Sequence, residues 1–293
     1  MVSLAAWIDP ANMAETRPIV FQSRDGLDIH GYLTLPQNVT GKSVPLLVIA
    51  NGQGSRFVWR YDSEIQFFAS RGYAVMQINT RGTAGYGEDF ATKGYSQMAG
   101  RVLDDLADAV RWGIEKGVVT PGKACIFGKD LGGYQVLMAL ARYPGLFQCG
   151  VEYDGPVDMR PLFKFAKRAD KGFGGSAVTN AMRLMFGDPS KDRELLDRIS
   201  PIKRVADIKT PLMVINYVDK TDKRTKPDEN VKATRKFTKK LTGQGNYVEY
   251  EEVPYDVDGL SNVEEKVDFY TKVAAFLDRQ IGSELQAQQT ENN

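Results

Sequence analysis

The sequence predicts an α/β fold on a mainly parallel central sheet with an antiparallel start, and three observations carry that prediction. Residues 44–50 and 73–78 are short apolar runs, each ended by a Gly- or Asn-containing turn and followed by helical spacing. That alternation is the signature of βαβ units. Ahead of them, strand-like residues 18–22 and 27–35 flank the turn Arg24-Asp25-Gly26, a hairpin pattern. The 293 residues carry 38 Lys plus Arg against 37 Asp plus Glu, a formal charge of +1, with 42% hydrophobic residues. This is globular composition, in a chain long enough to build a core without staples.

The later elements follow in order. Residues 62–70 read as a helix stopped by Gly72. In 102–116, Leu103, Leu106, Ala107, Val110 and Ile114 share one helical face, and Gly117 fits the cap. A strand at 124–127 precedes a helix from Leu131 to about Arg142, and 149–153 is another buried strand. Residues 158–200 are polar and helical, an insertion over the sheet. Strands at 211–217 and 247–253 and an amphipathic helix at 263–281 complete a single domain, 1–281; the polar tail 282–293 is expected to be disordered.

Several function classes fall away. A near-zero net charge lacks the basic footprint of nucleic-acid binding. No apolar run reaches the roughly 18 residues of a membrane span. Met1 to Ile8 has no cationic start and does not read as a signal peptide. Two cysteines exclude a disulfide framework; a reducing, cytoplasmic location is expected. Cys125 and Cys149 fall on strands expected to be close, where buried cysteines acting as small hydrophobes are favoured over a redox pair. The chain has one histidine, His30, so any mechanism needing imidazole must use it.

An open α/β sheet binds ligands at the carboxyl ends of its strands, here after Ala50, Ile78, Phe127, Tyr153, Tyr217 and Val253. Those loops hold Asn79-Thr80-Arg81-Gly82-Thr83-Ala84-Gly85-Tyr86-Gly87 and Gly128-Lys129-Asp130-Leu131-Gly132-Gly133-Tyr134. The first resembles the Asn-x-Arg-Gly-Ser-x-Gly-Tyr-Gly stretch of the prolyl oligopeptidase family. The second stands where that family has Gly-x-Ser-x-Gly-Gly-Tyr. Asp104-Asp105, Arg111-Trp112, 117–121, Ser200-Pro201 and 211–215 fit as well, so the resemblance runs from about Pro18 to Ile281.

The resemblance implies an α/β-hydrolase catalytic domain acting as a serine peptidase on short peptides. Members usually carry an N-terminal β-propeller, for which 293 residues leave no room. The family chemistry needs a Ser on a strained strand-to-helix elbow, a His and an Asp. By this correspondence Asp130 occupies the nucleophile position and Leu260 the His position. Asp222 best matches the acid, with Asp219 as the alternative. The oxyanion loop corresponds to Asn51-Gly52-Gln53-Gly54, with Asn51 and the Leu131 N–H as donors; Asn51 reads equally as a turn residue. His30 matches a strand of the family remote from the site and is expected to be structural.

Further candidates each have a plainer alternative. Asp130, Asp154, Asp222 and Asp258 all follow strands. They form either a carboxylate cluster for acid/base work or hard-metal binding, or solvated acids paired with Lys129, Lys220, Lys223 or Arg224; the latter is favoured for the group, while at Asp130, whose elbow side chain cannot avoid the pocket, both stay open. Arg81 and Tyr86 line the pocket, or Arg81 is pinned to neighbouring carbonyls. Residues 163–168 and 220–240 are basic, but solvated helix faces explain them.

The expected function is a degenerate peptidase-like domain, hydrolytically inactive or strongly impaired, that binds a small peptide or small molecule. Its ligand-binding residues are Asn51, Gly52, Leu131, Tyr134, Arg81, Asp154 and Asp258. No metal, cofactor, nucleic acid or membrane is called for, and the oligomeric state is left open. Two alternatives remain: an isomerase, cyclase or lyase using Asp130 with Asp222 or Asp258, and an engineered or redesigned peptidase domain.

Overall fold

The computed structural model describes residues 9–37, 39, 41–52, 56–173, 175–192, 194–218, 229–254 and 263–282. Strands β1 (Thr16–Gln22) and β2 (Asp28–Thr34) form the expected hairpin, with Val20 opposite His30. Gly26 takes the turn at φ +81°, a conformation that favours glycine. β2 lies antiparallel to β4 (Ala74–Asn79), and β4 is parallel to β3 (Val44–Ala50). From there β5 (Val119–Lys129), β6 (Cys149–Tyr153), β7 (Leu212–Val218) and β8 (Val248–Pro254) add in parallel. Among the described residues they make one eight-stranded sheet in the order β1-β2-β4-β3-β5-β6-β7-β8.

Helices cover both faces, which is why β3 is buried along its whole length instead of alternating. Leu46 and Val48 belong to the same buried cluster as Leu103 and Leu106 of α3 (Arg101–Glu115), Val136 and Leu137 of α4 (Leu131–Arg142), and Phe237 of α8 (Glu229–Gly243). Leu47 and Ile49 belong to the cluster on the other face, with Phe68 of α1 (Ser63–Ser70) and Val273 and Leu277 of α9 (Val263–Ile281). Asp62 caps α1, its carboxylate accepting from the Glu64 N–H at 3.0 Å. The insertion is helical as expected, forming α5 (Met159–Phe173), α6 (Ala177–Phe186) and α7 (Leu195–Arg198).

Some expectations need correction. β5 begins at Val119, five residues before the expected start; Val119 pairs with Val44, and a register shift absorbs Pro121 and Gly122 before Ala124 meets Leu46. The short helix α2 (Glu88–Thr92) carries no apolar periodicity long enough to have been read. The two cysteines, expected as unbonded hydrophobes, are joined: Cys125 and Cys149 are register partners on adjacent strands, 4.7 Å apart at Cα, and form a disulfide in the sheet core. Sequence order hides this contact, which exists because β6 docks beside β5. No helix of the described residues is long and apolar enough to cross a membrane. The N-terminal residues 1–8 and the tail from 283 onward lie outside the described residues.

Candidate active site

The site grows from the turn between β5 and α4. Asp130 is its single linking residue, with φ +52° and ψ −120°, an outlying backbone state for a non-glycine residue. Two contacts hold it there. Its N–H donates to the Tyr153 carbonyl at 2.8 Å, and its own carbonyl accepts the Tyr134 N–H at 3.0 Å. The flanking glycines are required by close approach: a Cβ on Gly128 would collide with the Gly132 carbonyl, and one on Gly132 with the Ala50 carbonyl. This is the strained elbow expected from the sequence, with the Asp130 side chain lifted out of the strand into a strand-end cavity.

β6 repeats the geometry one strand over. Gly128 is in register with Glu152 and Lys129 with Tyr153, so Asp130 and Asp154 leave the sheet at the same level. Asp154 also has a positive φ, +55°, and its N–H donates to the Ile215 carbonyl at 2.7 Å. The Asn216 amide donates to the Asp154 carboxylate at 3.0 Å. Asp130, Leu131 and Asp154 line a cavity of about 410 Å³ whose far wall is Pro156, Pro161, Leu162 and Phe165.

The charges are unevenly matched. Among the described residues no hydrogen bond or ion pair reaches the Asp130 carboxylate. Burial pushes its pKa above the ordinary range, opposed by the Lys129 charge. The Lys129 ammonium points elsewhere, onto the Glu64 carboxylate at 2.5 Å. Below the two aspartates Glu152 is fully buried. One of its oxygens accepts the Gly155 N–H, and the other has no hydrogen-bond partner among the described residues. Burial, with the charges of Asp154 and Asp130, raises Glu152 well above the usual carboxylate range.

The remaining expected site residues separate. Arg81 does not face the cavity. It is 1% exposed, and its guanidinium bonds Asp105 and Asp25, carboxylates rather than the expected carbonyls. Tyr134 is buried under the elbow; its hydroxyl donates to the Ile199 carbonyl at 2.8 Å and its ring meets Phe186 edge-on, so it anchors α4 and does not line the cavity. Gly52 lies beside Leu131, but its N–H donates to the Gln135 side chain at 3.1 Å and is not available as an oxyanion donor. The Leu131 N–H opens α4 and has no acceptor within the helix. Asn51 is half-buried at the end of β3 and does not line the cavity. Tyr86 also lies off the cavity, its hydroxyl meeting the Asn79 amide at 2.9 Å. His30 stacks flat on Tyr86 at 4.5 Å and edge-on to Phe90, a packing role. Asp222 with its alternative Asp219, Asp258 and Leu260 lie outside the described residues.

Sequence reasoning missed Glu152 and the far wall. Glu152 sits in a five-residue strand with no marker beyond being an acid in a buried run. The wall comes from the insertion, whose basic-aromatic residues were read as a solvated face. Phe163 and Ala166 are in fact core, while Phe165 and Arg168 edge the cavity. No group of three or more His, Cys, Asp or Glu among the described residues is placed to hold a metal ion.

Comparison with known proteins adds the following. The family model described as "Prolyl oligopeptidase family" matches residues 59–284, and one described as acetyl xylan esterase matches 6–111. Dipeptidyl aminopeptidase BIII of Pseudoxanthomonas mexicana is 35% identical over 227 residues, covering 74% of this chain and 32% of that protein. Dipeptidyl peptidase family member 6 of Caenorhabditis elegans is 24% identical, over 91% of this chain and 38% of its own length. This chain therefore spans roughly a third of the length of these relatives. A puromycin-hydrolyzing peptidase of Mycobacterium tuberculosis superposes with a TM-score of 0.82 at 20% identity, covering 96% of this chain and 41% of that one. Pyrococcus horikoshii acylaminoacyl peptidase gives 0.79 at 21% identity, covering 97% and 44%. Such distant structural likeness establishes the α/β-hydrolase fold.

Proposed function

Because this chain belongs to the prolyl oligopeptidase family of serine-peptidase-like domains, we propose that it keeps the family's strand-end cavity for binding a ligand and has lost the family's hydrolytic chemistry. One observation carries the reading: the side chain on the elbow is a carboxylate, Asp130, in the backbone state that presents a nucleophile. A carboxylate is a poor acyl acceptor, and its charge opposes the oxyanion that forms when a carbonyl is attacked. His30, the chain's one histidine, stacks on Tyr86 away from the cavity, so no imidazole takes the proton of a nucleophile or returns one to a leaving amine. An ester formed on Asp130 would have no base to activate the water that releases it. Binding and the remaining N–H donors supply only the residual roughly 10³–10⁴ over water.

The test is a fluorophosphonate probe with a panel of aryl esters and aminoacyl anilides, run on wild type and Asp130→Ala. The expected result is no labelling, and turnover no faster in wild type than in the variant. Turnover that disappears in Asp130→Ala would overturn the proposal. Restoring Asp130→Ser with Leu260→His asks whether the scaffold still supports amide hydrolysis.

A second reading, acid/base chemistry on a bound small molecule, is supported by the raised pKa of Asp130 in a cavity, the condition a general acid needs. It requires that Asp130→Asn abolish conversion of a substrate that wild type turns over.

A further inference from the structure

We propose that the cavity beside Asp130 takes a ligand bearing a protonated amine on an apolar arm, the ammonium seated on the Asp130 carboxylate and the arm on Pro161, Leu162 and Phe165. The inference rests on the binding role proposed above and adds the class of ligand.

The charge pattern carries it. Four acids line the cavity: Asp130, Asp154, Asp158 and Glu229. Three have a donor or counter-ion in place. Asp158 is bonded by Arg160 at 2.9 Å, Glu229 faces Arg168 at 3.9 Å, and Asp154 accepts from Asn216 at 3.0 Å. Asp130 alone is left without such a partner among the described residues. The cation nearest in sequence, Lys129, is held by Glu64 and by the Tyr270 hydroxyl at 3.4 Å. The Asp130 carboxylate lines the cavity with no donor in place among the described residues, and a cation that takes its free oxygens forms a charge-assisted hydrogen bond.

A second observation points the same way. Glu152, fully buried beneath the two aspartates, has one oxygen that no donor reaches among the described residues. Burial above all raises Glu152, and the negative field of Asp154 and Asp130 adds to it; that same field favours a cation in the cavity that the two aspartates line. The one cation in the lining, Arg168, stands against the four acids and faces Glu229 at 3.9 Å, so the balance of charge around the cavity is negative.

Shape selects the rest of the ligand. The volume, about 410 Å³, lies in the range of small-molecule sites. The lining also holds Leu131, Pro156, Pro161, Leu162 and Phe165, and Phe165 is 63% exposed, a ring surface free to stack on an arm. A compact polar cation such as ammonium would leave those apolar residues wet; an aralkylamine meets both kinds of lining.

The experiment is isothermal titration of the purified chain with 2-phenylethylammonium, 2-phenylethanol and phenylacetate in buffered 150 mM salt, on wild type, Asp130→Asn and Phe165→Ala. Asparagine tolerates a positive φ well, so Asp130→Asn is expected to keep the fold, with an unchanged melting temperature as the control. In wild type the ammonium should bind roughly 10–100-fold more tightly than the alcohol, as a charge-assisted bond predicts. In Asp130→Asn that preference should fall to about twofold or less. Phe165→Ala should weaken the ammonium and the alcohol alike, leaving their ratio intact. An alcohol or a carboxylate that binds wild type as tightly as the ammonium overturns the inference but leaves the binding role standing. So does a preference that persists in Asp130→Asn. If none of the three probes binds, the inference and the binding role fall together.

Discussion

Replacing Arg81 with methionine should destabilise the protein while leaving the cavity untouched, the opposite of what a ligand-binding arginine would do. The guanidinium makes two bidentate contacts. Toward Asp105, Nε donates at 2.9 and 3.1 Å and Nη2 at 2.7 Å; toward Asp25, Nη1 donates at 2.7 Å and Nη2 at 2.9 Å. Asp105 is 0% exposed and Arg81 1%. Removing one partner of such a buried pair typically costs about 3–5 kcal/mol, because the other charge stays behind without its counter-ion. Asp105 keeps two donors, the Arg81 N–H at 2.9 Å and the Ser23 hydroxyl at 3.0 Å, which places the loss near the lower end, about 3 kcal/mol. Urea unfolding followed by tryptophan fluorescence reads this directly as a lower midpoint. Asp105→Asn in the Arg81→Met background removes the stranded charge, so the double variant should lose less than the sum of the singles. Acid should reveal a second signature. Hydrogen bonds from Arg81 hold Asp25 down to about 2, below its unfolded value of about 3.9. Its stabilisation is therefore complete above pH ~4 and fades as pH falls toward 2, and Arg81→Met should lack that fade. The reasoning is refuted if Arg81→Met unfolds within about 0.5 kcal/mol of wild type, the scatter of neutral surface changes. It is equally refuted if the singles add without coupling, or if affinity for 2-phenylethylammonium drops while stability holds.

Two further outcomes follow from buried groups. Burial raises the pKa of Glu152 in the fold above its unfolded value, so the protein should become less stable as pH rises from about 4. Glu152→Gln should remove that slope, and parallel stability curves from pH 5 to 9 would show that Glu152 is ionised in the fold. The Cys125–Cys149 bond closes a sequence separation of 24 residues, for which loop entropy gives up to about 3.5 kcal/mol. Cys125→Ala with Cys149→Ala should lose up to that amount. Alkylation of unreduced, denatured protein should label neither cysteine, and two labels would show that the bond is absent.

Much of the architecture was legible because the signals are local. Apolar runs closed by turn residues marked β3, β4, β6 and β7 to within a residue, and the three- and four-residue spacing in α3 put Leu103, Leu106, Ala107 and Val110 on the buried face. The elbow was legible for the same reason, since Gly128, Gly132 and Gly133 are what a strand turning directly into a helix requires. Where local pattern was silent, expectation failed. Pro121 and Gly122 interrupt the apolar pattern, so the strand was expected only from Ala124 and the first half of β5 went unseen.

The sequence by itself determined the strand-and-helix order and the carboxylate that sits on the elbow, because both depend on neighbours a few residues apart. The tertiary structure alone decided which side chains meet. Arg81 finds Asp105 at 24 residues' separation and Asp25 at 56, and Glu152 is buried only because β6 lies between β5 and β7. Those pairings follow from strand order, register and the rotation of each helix on the sheet, and together these withdrew Arg81 and Tyr134 from the cavity and brought Asp130 and Asp154 to one level at its floor.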